Sequence, residues 1–221
     1  MARRFLRRWL FIANSPDTVE QVLVSRNDRY ERKSPYMRKA LEPLLGDGLF
    51  ISDGETWRKR RAIEAPAFSS ANLRRFAQTM TQCALELREH WRSIPPGTPT
   101  PVLPEMARLT AEIIGRTMFG DALGPERTAS IVRNFSTYQA GIEQFDFGTF
   151  FGLPDWFPRT PQWRSAKRAA HAIHVLVDEV IRARLGQPPE SSTLLGLLMQ
   201  SELTPEQVRN EAVVILSLIH I

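Results

Sequence analysis

The chain has 221 residues, 43% hydrophobic and 24% charged, a balance that excludes a disordered or fibrous protein and allows one sizeable core. Lysine and arginine number 29 against 24 acidic residues, giving a formal charge of +5 and a pI near 9.9, which favours an anionic partner without naming it. The single cysteine, Cys83, excludes a disulfide framework and a cysteine-rich zinc site and fits a reducing compartment. No run approaches the ~18 apolar residues of a membrane span, and the arginine-broken start is not followed by a small-residue cleavage site. A soluble, cytoplasmic protein is expected.

Residues 8–13 give the one strand signal. Ser15-Pro16 supplies an N-cap and a first-turn proline for a helix carrying Val19, Val22 and Leu23. Ser52-Asp53-Gly54-Glu55 has capping-box spacing and predicts a helix through Trp57. Leu73, Phe76, Met80, Cys83, Leu87 and Trp91 recur at helical spacing and predict one buried face. Met106, Leu109, Ile113 and Ile114 predict another, with Gly120 at the C-cap. Residues 145–159, rich in Phe, Gly and Pro, read as an aromatic loop. Thr160-Pro161 opens a third stripe of Trp163, Ala166, Ala170, Ile173, Val177, Val180 and Ile181, which ends before Gly186. Thr204-Pro205-Glu206-Gln207 caps a last helix that is fully apolar from Ala212 and reaches Ile221 without a closing signal, as a buried helix cut in mid-course would. The predicted class is mainly α.

Few residues point to chemistry. His171 and His174 have a metal-compatible i, i+3 spacing, but no third ligand lies nearby. Cys83 sits in an apolar stripe, as a core thiol does. In Trp57-Arg58-Lys59-Arg60-Arg61, Trp57 and Arg61 fall on one helical face. An indole N–H beside a guanidinium suits a carboxylate or phosphate; a solvated basic face anchored by tryptophan has the same pattern. Arg74 and Arg75 would extend a nucleic-acid surface, without aromatic interleaving to stack bases. A basic helical module binding nucleic acid or an acidic protein therefore stands as the alternative to an enzyme.

The run Leu45-Gly46-Asp47-Gly48-Leu49-Phe50, then Asp53-Gly54-Glu55-Thr56-Trp57, Arg60-Arg61 and Ala65-Pro66-Ala67-Phe68, resembles the B–C region of the cytochrome P450 superfamily of haem-thiolate monooxygenases. The resemblance implies that Trp57 and Arg61, in a Trp-x-x-x-Arg helix C, donate to a haem propionate. It implies that residues 16–25 form helix B, the later stripes helices D to G, and the chain from Thr204 the start of helix I. Leu49, Phe50, Phe145, Phe147 and Phe150 become expected substrate-pocket residues. Arg58 and Lys59, with Arg60, become an expected surface for a ferredoxin or flavin-type electron donor. The implied reaction inserts one oxygen atom from O2 into an apolar small molecule. The family's cysteine loop is absent, so the iron ligand is not in this chain and the role is not carried onto Cys83. The helix-I acid–alcohol pair and the Glu-x-x-Arg pair of helix K are also absent. Residues 1–221 are thus expected to be a partial, inactive P450 domain. Residues 216–221 are expected to be a non-native tail that matches one reading frame of a transposon end.

Overall fold

A computed structural model describes residues 2–5, 8–30, 32–120, 123–143, 160–186 and 193–217. The basic start forms an antiparallel pair, β1 (Ala2–Phe5) with β2 (Arg8–Phe11), Ala2 opposite Phe11. The strand signal at residues 8–13 marks β2; its four-residue partner is too short to show a period. Ser15 caps α1 (Pro16–Glu20), and Thr18 returns the bond to the Ser15 N–H in a capping box. The chain continues through a π-turn (Gln21–Ser25) and a 3-10 turn (Asn27–Arg29). The rest is helical: α2 (Pro35–Leu45), α3 (Gly54–Glu64) with a 3-10 extension (Ala65–Phe68), α4 (Ser70–Ser93), α5 (Val102–Phe119), α6 (Gly124–Glu143), α7 (Pro161–Arg184), α8 (Leu194–Met199) and α9 (Pro205–Ser217).

The core gathers round α9, which touches α2, α5, α7 and α8. Its last turns are apolar on every side, and a helix of that kind has to be enclosed. Val208 and everything from Asn210 to Ser217 are buried. Thr204 and Gln207 form the predicted capping box, each donating a backbone N–H to the other's side chain. Helix α7 starts where Thr160 accepts the Trp163 N–H, and all seven residues of its predicted stripe are buried. Gly120 ends α5, its N–H donated to the Arg116 carbonyl.

Two predicted faces need correction. On α4 only Phe76, Cys83 and Leu87 are buried, whereas Leu73, Met80 and Trp91 are 47%, 43% and 39% exposed. The helix packs against α5 and the short 3-10 segment, too narrow a support to cover the whole stripe. On α5 the fully buried residues are Ala111, Gly115, Met118 and Phe119, and the predicted Met106, Leu109, Ile113 and Ile114 are half-buried. This helix lies between α4 and α6 and also meets α8 and α9, so small residues and its C-terminal turn reach the core. The predicted loop at 145–159 lies outside the described residues.

Helix α6 runs closely along α7. A Cβ on Gly141 would sit 2.7 Å from the Ala166 Cβ and 2.9 Å from the Gln162 carbonyl oxygen, with no flexible atom to yield. Gly141→Ala is expected to cost about 1–3 kcal/mol by overpacking, read as a lower urea midpoint at unchanged m-value.

Candidate functional site

Helix α2 stops at Gly46, whose φ of +56° few other residues adopt and whose N–H returns to the Glu42 carbonyl at 2.9 Å. A Cβ on Gly46 would strike the Asn210 side chain, and one on Gly48 would lie 2.5 Å from Val214 Cγ2. The two glycines therefore let α9 lie directly against this turn. The approach brings the Leu49 N–H to Glu211 Oε2 at 2.8 Å. From α3, Arg60 donates to Glu211 Oε1; Arg60 is 5% exposed and Glu211 is 0% exposed. Asp47 stands 3.8 Å from the other side of the Arg60 guanidinium.

One turn after Arg60, Glu64 is 2% exposed, and its Oε1 has no partner. Burial, then the adjacent Glu211, pushes the Glu64 acid up to about 9, against the pull of Arg60 and Arg61. The predicted capping box at Ser52 does not form. Asp53 is the N-cap, but its carboxylate accepts the Lys33 N–H at 3.1 Å and faces Arg38 at 3.3 Å. Burial would raise the Asp53 acid; those bonds outweigh it and hold it below the ordinary range. Ser52 is buried, with its hydroxyl on the Leu49 carbonyl.

Between α3, the turn and α9 lies a cleft of about 320 Å³. Four of the residues singled out from the sequence line it together: Leu49, Phe50, Trp57 and Arg61. Glu64, Lys33, Met37, Phe68, Val214 and Ile215 complete the wall. The Trp57 indole N–H and the Arg61 guanidinium make no hydrogen bond or ion pair with any described residue. Trp57 is 39% exposed, and Arg61 is exposed. The pair is therefore an unsatisfied donor set at the rim of an apolar wall, the chemistry of a carboxylate site.

Other expectations fall elsewhere. Arg58 and Lys59 are exposed on α3, Arg58 paired with Glu55 at 2.6 Å. Arg60 is not part of that surface, because Glu211 draws it inward. Phe145, Phe147 and Phe150 lie outside the described residues. His174 Nε2 meets the Leu44 carbonyl oxygen at 2.6 Å, so it pegs α7 to α2, and burial lowers its basicity. Among the described residues no group of three or more His, Cys, Asp or Glu is placed to hold a metal. Cys83 is buried on α4 near Arg116 and Glu112, outside the cleft, and burial raises its thiol. The sequence reading missed Glu64 and Glu211. The available signal was a carboxylate next to an apolar run: Glu64 after Ile63, and Glu211 before the stretch from Ala212.

The family profile described as Cytochrome P450 matches residues 4–217. The chain belongs to that family. Cyclooctatin synthase of Streptomyces melanosporofaciens is 33% identical over 125 residues, 56% of this chain and 26% of that protein. A cytokinin hydroxylase of Arabidopsis thaliana is 27% identical over 191 residues, 83% of this chain and 36% of its own length. Among solved structures, the cytochrome P450DA haem domain aligns with a TM-score of 0.78 at 24% identity, covering 97% of this chain and 48% of that one. The chain thus spans about a quarter to a half of the length of these three proteins. No described helix is long and apolar enough to cross a membrane.

The P450 family implies haem, and the cleft fits the acidic edge of one. It offers two uncommitted N–H donors, the nearby Lys33 ammonium, and apolar side chains for the macrocycle. Glu211→Ala is expected to destabilise the fold by about 3–5 kcal/mol, because it strands the Arg60 charge; the urea midpoint measures it. Glu64 makes a prediction with pH. Its acid is held protonated when folded and ionises at its ordinary 4.5 when unfolded, so stability should fall as pH rises from 4.5 toward about 9. Glu64→Leu should flatten that slope in melts across the same range.

Proposed function

We propose that this chain is the N-terminal part of a haem-dependent monooxygenase that inserts one oxygen atom from O2 into an apolar small molecule. The observation that carries the reading is the pair of uncommitted donors, Trp57 and Arg61, at the edge of an apolar cleft. Family membership and a relative named as a hydroxylase support oxygen insertion over a basic binding module. Bound haem supplies the iron at which oxygen is activated, with its cysteine ligand outside this chain.

What these residues contribute is placement. Trp57 Nε1 and the Arg61 fork donate to a propionate, and Lys33 adds positive charge on the same side. Leu49, Phe50, Val214 and Ile215 keep water from the ring edge, which strengthens those bonds. Leu49 and Phe50, which line the cleft, are proposed as substrate-pocket residues, together with Phe145, Phe147 and Phe150. Arg58 and Lys59, facing solvent, are proposed to meet an acidic ferredoxin or flavin-type donor. A cytoplasmic setting suits the lone thiol of Cys83. Residues 216–221 remain a proposed non-native tail.

Titration of the chain with protoporphyrin IX, followed by fluorescence, tests the reading. Arg61→Ala removes a charge-assisted contact worth about 1.5–3 kcal/mol, so affinity should fall at least tenfold. The dimethyl ester of the same porphyrin, lacking carboxylates, should bind both proteins alike. Equal affinity of both proteins for the diacid would overturn the proposal.

A further inference from the structure

The cleft contains a third polar group that a carboxylate-binding role for Trp57 and Arg61 leaves unexplained. Glu64 lines the same wall, is almost completely enclosed at 2% exposure, and has one oxygen without a partner. An acidic side chain is the wrong neighbour for a carboxylate ligand unless something keeps it neutral. The surroundings supply the reason. Glu211 on α9 already takes Arg60 on one oxygen and the Leu49 N–H on the other, so the single Arg60 cation is committed to it. Glu64 is buried near that carboxylate and makes no ion pair with a described residue, so its enclosure favours the neutral acid.

We infer that Glu64 sets the charge of the ligand this cleft accepts: with its carboxyl neutral the cleft admits a carboxylate beside Trp57 and Arg61, and with its carboxyl ionised the cleft excludes one. The inference rests on the proposed carboxylate site. The charged groups around Glu64 are Arg60 and Arg61 from α3, Glu211 from α9, and Lys33 ahead of α2; Asp53 faces Lys33 and Arg38, and Asp47 faces Arg60. With Glu64 neutral, Arg61 leaves the cleft wall positive, Lys33 being paired with Asp53. With Glu64 ionised, a fixed negative charge stands in that wall at an enclosed position, where it is poorly screened.

The test is the pH dependence of protoporphyrin IX binding to the 221-residue chain, in wild type, Glu64→Gln and Glu64→Leu, between pH 7 and pH 10. Wild-type affinity should fall at least tenfold over this range, whereas both variants should keep a nearly flat profile. Lys33 and the porphyrin carboxylates are common to all three proteins, so only Glu64 distinguishes the curves. Glu64→Gln keeps the shape and removes the charge; Glu64→Leu controls for the remaining polar group. Infrared spectra without porphyrin should show a protonated-carboxyl band that the wild type loses near pH 9 and both variants lack. A flat wild-type profile, variants as pH-sensitive as wild type, or no such band would overturn the inference and leave the carboxylate site standing. Failure of all three proteins to bind the diacid more tightly than its dimethyl ester at any pH would overturn that site and the inference with it.

Discussion

A single buried carboxylate fixes the geometry of this chain. Glu211, fully enclosed on α9, receives a guanidinium from α3 and a backbone N–H from the turn after α2. The turn and α3, close together in the chain, thereby meet α9 from more than 150 residues away at one side chain. Burying a charge is costly, and the cost is offset only when every lone pair is well engaged. A structure that has taken on that cost at Glu211 holds α3 in one rotation about its axis. That rotation turns Arg60 inward and leaves Trp57 and Arg61, its neighbours on the adjoining face, toward the cleft.

The same constraint explains the glycines. Gly46 and Gly48 matter because a side chain at either would push α9 away from the turn and pull Glu211 out of reach of Leu49. The apolar end of α9 then supplies Val214 and Ile215 to the cleft from the opposite side. Polar knot and apolar wall lie along one face of α9, with Val214 and Ile215 three and four residues after Glu211. In the P450 family to which the chain belongs, this places the proposed propionate clamp and the proposed pocket edge on a common support.

Much of this was legible in the sequence, and the failures share a cause. Helix starts at Ser15, Thr160 and Thr204 were readable because capping is local: donor and acceptor lie within three residues. The α7 stripe was readable because that helix is packed along its whole length. The α4 stripe overreached, since periodicity shows which residues share a face and not how much of the face another element covers. At Ser52 the capping pattern lost to a tertiary competitor, as Lys33 and Arg38 took the Asp53 carboxylate. The spacing of Trp57 and Arg61 put them on one helical face, and both line the same cleft. Arg60 was misplaced on the surface, because its partner lies 151 residues away and no local rule distinguishes one arginine of a basic run from the next. Glu64 and Glu211 went unseen for the same reason: burial of a carboxylate is decided by the elements that close over it.

The central claim is that Glu211 orients the helix face carrying Arg61, so the two residues should be energetically coupled although they do not touch a common ligand atom. A double-mutant cycle on protoporphyrin IX affinity, using Glu211→Gln and Arg61→Ala, measures that coupling directly. The account predicts strong non-additivity, with loss of Arg61 costing little once Glu211 is neutral. Strictly additive effects, with Arg61 contributing as much in the Glu211→Gln background as in the wild type, would contradict it.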